Sequence, residues 1–106
     1  MVIEQVFNND DNILILKISG EMDVSNVSEF KETVYQGIEK HSPDVLIDCE
    51  NLKYIDSTGL GVMVGALKKS KELGGSIKII HLKPYLQKIF TITALDKIFD
   101  IEVETK

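Results

Sequence analysis

The sequence predicts a single α/β domain built on a mixed β-sheet packed with helices. Two observations carry this. Short β-branched apolar runs alternate with segments of helical spacing, which implies a partly parallel sheet. The first two strand-like runs are instead joined by a short polar turn, which predicts an antiparallel hairpin at the start. The chain has 106 residues, 43% of them hydrophobic and 27% charged. That is one domain's worth, spanning 1–106, and enough to build one core without a staple.

Each element has its own signal. Val2, Ile3, Val6 and Phe7 mark a first strand over 2–8. Asn8-Asn9-Asp10-Asp11-Asn12 is a solvated turn by composition. Ile13–Ile18 is a second strand, and Ser19-Gly20-Glu21-Met22 is expected to leave the sheet. Asp23 is placed as the cap of a first helix, with Val24, Val27, Phe30, Val34 and Ile38 on one face. It should end near Lys40-His41, before Ser42-Pro43. Val45-Leu46-Ile47 is continuously apolar, as in a strand covered on both faces, and Asp48 is expected to end it.

Residues 50–55 read as a short loop. Asp56, Ser57 and Thr58 offer cap-type side chains before a second helix bearing Leu60, Met63, Val64 and Leu67. Lys68, Lys69 and Lys71 crowd its C-terminal end, where cations suit the macrodipole, and Gly74-Gly75 stops it. Ser76–Ile80 is the next strand. Pro84 suits a first helical position, followed by Leu86, Ile89, Phe90 and Thr93. Residues 98–103 supply a last edge strand.

Composition narrows the partners. The net charge of −5 argues against nucleic acid and against an anionic membrane surface. The single cysteine, Cys49, allows no internal disulfide and is expected to be a small buried hydrophobe in a reducing compartment. No stretch approaches the ~20 apolar residues of a membrane span. The N-terminal residues carry no basic-then-apolar leader pattern. The expectation is a soluble cytoplasmic protein.

The informative segment is Tyr54-Ile55-Asp56-Ser57-Thr58-Gly59-Leu60-Gly61-Val62-Met63-Val64-Gly65, which holds three of the seven glycines. Two hydroxyls meet a helix N-terminus, a favourable place for an anion, including a phosphate attached to Ser57. Two readings of the local chemistry stay open. In one, Ser57 or Thr58 is simply a cap and the glycines pack the helix tightly on the sheet. In the other, the helix N-terminus takes an anion or a phosphate on Ser57, and the glycines let another backbone approach closely. A glycine in a helix interior costs ~1 kcal/mol relative to alanine, so Gly61 and Gly65 need a packing or interface reason.

Enzymatic readings lack their parts. Gly59-x-Gly61-x-x-x-Gly65 is a loosened dinucleotide pattern, but Ile79-Ile80-His81 stands where an acidic residue is expected. There is no phosphate-binding NTPase loop and no Gly-x-Ser-x-Gly elbow around Ser57. The histidines are His41 and His81. His81 follows a strand and is expected at the surface or a sheet edge. One cysteine and two histidines far apart in sequence predict no metal cluster. No catalytic residue, metal or cofactor is therefore assigned.

Asp56-Ser57-Thr58-Gly59-Leu60 closely resembles the phosphorylation motif of bacterial anti-sigma factor antagonists, built on the STAS domain. The likeness extends through Gly20-Glu21-Met22-Asp23, Val45-Leu46-Ile47-Asp48, Gly74-Gly75-Ser76-Ile77-Lys78-Ile79 and Leu95-Asp96-Lys97-Ile98-Phe99, in the family's order. Three features depart from it: Ala94 where the family often has glycine, Met63 where leucine is common, and the segment His81-Leu82-Lys83-Pro84.

The resemblance implies a STAS-like domain acting as a partner switch rather than an enzyme. The unphosphorylated form would bind an anti-sigma factor and so release a sigma factor. The anti-sigma factor would also be a serine kinase, with ATP and Mg²⁺ belonging to it. A phosphatase would reactivate the switch. Ser57 would be the phosphoacceptor by match to the motif. Asp23 would contribute to the site region and partner recognition, and Asp56, Thr58, Gly59 and Gly61 would frame the site. An alternative within the same fold is a scaffold or ligand-sensing STAS module of a larger signalling complex.

Overall fold

The computed structural model describes residues 1–103. The element order is β1 (Val2–Asn8), β2 (Ile13–Met22), α1 (Val27–Lys40), β3 (Val45–Ile55), α2 (Ser57–Glu72), β4 (Ile77–Leu82), α3 (Pro84–Ile92), a 3₁₀ turn (Leu95–Lys97) and β5 (Asp100–Val103). The strands form one five-stranded sheet in the order β1-β2-β3-β4-β5. The β1–β2 pair is antiparallel, from Val2 opposite Ser19 to Asn8 opposite Ile13. The other three pairs are parallel.

This order decides where the helices go. Each parallel connection moves one strand further in the same direction. Right-handed crossovers then place α1, α2 and α3 on the same face. Burial along the strands agrees. Leu14, Leu16, Ile18, Val45, Ile47, Cys49, Ile77 and Ile79 are buried, while Lys17, Glu50 and Lys78 between them are exposed. Leu46 is only half-buried. The apolar run at 45–47 is therefore covered on one face, not both: its middle residue lies on the uncovered side.

The helices close the core with Phe30, Val34 and Ile38 from α1, Met63, Ala66 and Leu67 from α2, and Leu86 and Phe90 from α3. Phe90 meets Phe99 edge-on, with ring centroids 6.0 Å apart. Burying an aromatic ring of this kind contributes roughly 1.5–3 kcal/mol. Between α1 and α2, the Tyr35 hydroxyl faces Gly65, where a Cβ would collide with it. That gives Gly65 its packing reason.

Several boundaries differ from the sequence expectation. β2 does not leave the sheet after Ile18 but runs on to Met22. It does so through register shifts at 17–19 and 20–21, with Gly20 at φ +94°. Residues 50–55 are strand rather than loop, and Asp48 does not end β3, because β2 continues alongside to pair Met22 with Ile55. α1 begins at Val27 after Asn26, not after Asp23. The last strand starts at Asp100, the preceding residues being taken up by the 3₁₀ turn. Helix α3 ends at Ile92, leaving Thr93 as its C-cap.

Among the described residues, the non-glycine positions with positive φ are Asn12, His81 and Ala94. Ala94, at φ +61°, occupies the left-handed conformation that glycine adopts at no steric cost. This is the position where the family often carries glycine. Among the described residues, no helix is long and apolar enough to cross a membrane.

Candidate functional site

The pairing of Met22 with Ile55 puts the ends of β2 and β3 side by side. The two chains therefore leave the sheet together, and Asp23 and Asp56 enter neighbouring loops. Asp56 ties these loops into one unit. Its N–H donates to the Met22 carbonyl at 3.1 Å, and its Oδ2 accepts from the Val24 N–H at 3.2 Å. Its Oδ1 accepts from the Gly59 N–H at 3.1 Å and from the Thr58 hydroxyl. The cap of α2 is thus Asp56, rather than Ser57 or Thr58.

The Thr58 hydroxyl, and after it the Gly59 N–H, holds the Asp56 carboxyl below the usual carboxylate range, with the Val24 N–H adding to the effect. A depressed native pKa stabilises the fold above the unfolded value of about 3.9, and this contribution is lost as pH falls through the native value. The expected result is a steeper loss of thermal stability below pH ~4 in the wild type than in Asp56→Asn, which keeps a cap but does not titrate. Parallel melts from pH 6 to pH 2.5 check this. Identical pH slopes for the two proteins would remove the role assigned to Asp56.

With the Asp56 carboxylate engaged by Val24, Thr58 and Gly59, Ser57 is the first residue of α2 and is exposed, as are Thr58 and Gly61. Gly59 is buried. A Cβ there would lie 2.6 Å from Ile55 Cγ1 and 3.0 Å from Met22 Sδ, so this glycine lets α2 sit on the ends of β2 and β3. Gly61 is different: a Cβ would meet nothing within 4 Å. Packing within the domain therefore explains Gly59 and Gly65 but not Gly61.

Asp23 lies in the adjoining loop. Its Oδ1 accepts from the Ser25 N–H at 3.0 Å and from the Ser25 hydroxyl, and its N–H donates to Asn26 Oδ1 at 3.0 Å. Asp23 therefore shapes the turn before α1 instead of capping the helix. Val24, assigned from its spacing to the buried face of α1, lies outside the helix and is 74% exposed. This apolar residue beside Asp56 is one that sequence reasoning misplaced. The available signal is Asn26 followed three residues later by Glu29, a helix-start pattern that competes with Asp23. Tyr54 is half-exposed on the strand leading into Asp56.

The remaining reactive side chains lie elsewhere. Cys49 is buried in β3, and burial, then the neighbouring Asp48 charge, pushes its thiol up to about 12. The His41 ring stacks on Phe7 at 5.2 Å. His81 lies in β4, with Nδ1 3.0 Å from Asp48 Oδ1. Cys49, His41 and His81, the three side chains weighed as ligands from the sequence, do not come together, but His81 meets two carboxylates. Donor atoms of Asp48, Glu50 and His81 all lie within 4.8 Å of one another. Distance along the chain hid this, because β3 and β4 are neighbours only in the sheet.

Fold and site together define a small α/β domain with helices on one sheet face and an exposed serine at a capped helix start. The model of the STAS domain matches residues 5–106, and the chain belongs to that family. It is 35% identical over 97 residues to the anti-sigma-B factor antagonist of Bacillus subtilis, covering 92% of this chain and 88% of that protein. Its fold matches the crystal structure of a candidate anti-sigma factor antagonist from Thermotoga maritima, with TM-score 0.87 and 24% identity over 96% of this chain and 86% of that one. It also matches the Bacillus cell fate determinant SpoIIAA in its phosphorylated form, with TM-score 0.75 and 17% identity over 97% and 93% of the two chains.

Proposed function

We propose that this protein is an anti-sigma factor antagonist whose binding of an anti-sigma factor is switched off by phosphorylation of Ser57. The observation that carries the reading is the exposed Ser57 at the start of α2, directly after Asp56, whose hydrogen bonds cap the helix and tie it to the loop carrying Asp23 and Val24. Its relative in Bacillus subtilis is an anti-sigma-B factor antagonist, and its fold is similar to that of SpoIIAA in the phosphorylated form.

The switch needs no catalytic group in this chain. Both histidines are engaged away from Ser57, His41 on Phe7 and His81 on Asp48. The kinase activity, with its ATP and Mg²⁺, belongs to the anti-sigma factor, and a phosphatase restores the active form. In the unmodified state, exposed Val24, whose N–H is bonded to Asp56, and the open surface at Gly61, one turn along α2, offer apolar and close-approach contacts near Ser57. A phosphate adds about −1.5 to −2 charges at pH 7. It gains from the helix N-terminus but stands next to the Asp56 carboxylate. Placing that charge inside an interface without cationic partners is costly. Release then follows from local charge and bulk, with the fold unchanged.

The test is incubation with the serine kinase of the anti-sigma class from the same genome, with ATP and Mg²⁺. Intact mass should rise by one phosphate, peptide mapping should place it on Ser57, and Ser57→Ala should abolish it. Absence of incorporation, or incorporation into Ser57→Ala at the wild-type rate, would sink the assignment.

A further inference from the structure

We propose that Asp48, Glu50 and His81 form a site for a divalent transition-metal ion, zinc being the best match, on the uncovered face of the sheet. The site is separate from Ser57 and does not depend on the function proposed for it.

The geometry comes from two strands and one irregularity. Asp48 and Glu50 are alternate residues of β3, so both project from the face that the helices leave open, while Cys49 between them points into the core. On β4, Ile79 is buried and regular alternation would return His81 to the same buried side. Instead Leu82 is buried and His81 is half-exposed. His81 takes φ +60°, and the pairing of β4 with β5 shifts register between Ile79 and Leu82. A bulge of this type re-aims a side chain. Here it turns the imidazole across to Asp48, where regular β3–β4 pairing has its last rung, Asp48 beside Ile80.

The result is two carboxylates and one imidazole with donor atoms all within 4.8 Å. Even with a charged imidazole the trio carries excess negative charge, which a dication neutralises. Asp48 is pre-positioned: its Oδ1 accepts from the Glu50 N–H at 3.0 Å and lies 3.0 Å from His81 Nδ1. Glu50 is exposed and has room to swing. Zinc bonded to nitrogen and oxygen at about 2.0–2.2 Å requires neighbouring donors about 3.3–3.5 Å apart in tetrahedral geometry. A rotamer change in exposed Glu50 brings its carboxylate in, and the Asp48–His81 pair, now at 3.0 Å, opens by a few tenths of an ångström as the ion replaces their direct contact. The imidazole favours zinc over magnesium and calcium, which prefer all-oxygen sets. Three protein ligands leave a fourth position for water or for a partner's side chain.

Isothermal titration calorimetry of the full chain with zinc chloride tests this, with magnesium chloride in parallel. The expected result is one saturable zinc site of micromolar affinity and no comparable magnesium site. His81→Asn and Glu50→Gln should each weaken zinc binding at least tenfold, whereas His41→Ala should leave it unchanged. Asparagine is chosen because it tolerates the left-handed backbone, and circular dichroism confirms that each variant is folded. Zinc should also raise the melting temperature of the wild type and not of His81→Asn. Lack of a saturable zinc heat overturns the proposal, as does zinc binding that survives both His81→Asn and Glu50→Gln; the trio is then only a hydrogen-bonded pair with an acidic neighbour.

Discussion

Replacing Ser57 by aspartate should weaken binding to the anti-sigma factor by more than tenfold, a change of about 1.4 kcal/mol. Aspartate carries less charge than a phosphoserine, so this is a lower bound for the modified protein. The cause is local. Ser57 is exposed at the start of α2, and the adjacent Asp56 already uses the helix-terminal N–H of Gly59. A new carboxylate therefore meets a neighbouring negative charge and a terminus whose donors are partly taken. Ser57→Ala removes only a hydroxyl and should bind as wild type does. Calorimetry with the purified partner decides the matter. Equal affinities for wild type and Ser57→Asp would remove the charge argument, while circular dichroism should show both variants folded alike.

Alanine at Gly59 and alanine at Gly61 should shift stability in opposite directions. At Gly59 the new methyl would lie 2.6 Å from Cγ1 of the buried Ile55, so that side chain, the helix or the strand end must shift. Overpacking of this kind costs about 1–3 kcal/mol, more than the helix-propensity gain of up to ~1 kcal/mol. At Gly61 nothing lies within 4 Å, so the propensity gain of about 0.5–1 kcal/mol stands unopposed. For a domain of this size each kcal/mol moves the melting temperature by roughly 4–8 °C. Thermal melts should show Gly59→Ala below wild type and Gly61→Ala at or above it. A stability loss at Gly61 comparable to that at Gly59 would mean that the domain itself, not the surface it presents, requires the second glycine.

Much of the fold was legible because its signals are local. Phe30, Val34 and Ile38 repeat at helical spacing and are buried in α1. Pro84 begins α3, and Leu86 and Phe90 from the same pattern reach the core. The site segment was legible too: Asp56, Ser57 and Thr58 do stand at a helix start. The division of labour among them was not. Cap-type residues in a row are equivalent by composition, and only the backbone angle at Asp56 and the positions of the Gly59 and Val24 N–H groups select Asp56.

The errors share a cause. Residues 50–55 are polar enough to read as loop, yet they are strand because β2 extends alongside them. Val24 fits a helical face by spacing, yet Asp23, Ser25 and Asn26 fold the turn that excludes it. Leu46 sits in an unbroken apolar run, yet its side of the sheet receives no helix because every crossover advances in one direction.

The sequence by itself determined the element types, the single mixed-sheet domain and the serine at a helix start, since periodicity, turn composition and caps act between residues a few positions apart. The tertiary structure decided which partners those residues meet. It joined the Val24 N–H to Asp56 across 32 positions and His81 to Asp48 across 33. Such contacts depend on strand order and register, which no local pattern encodes and which burial of one sheet face selects for the chain as a whole.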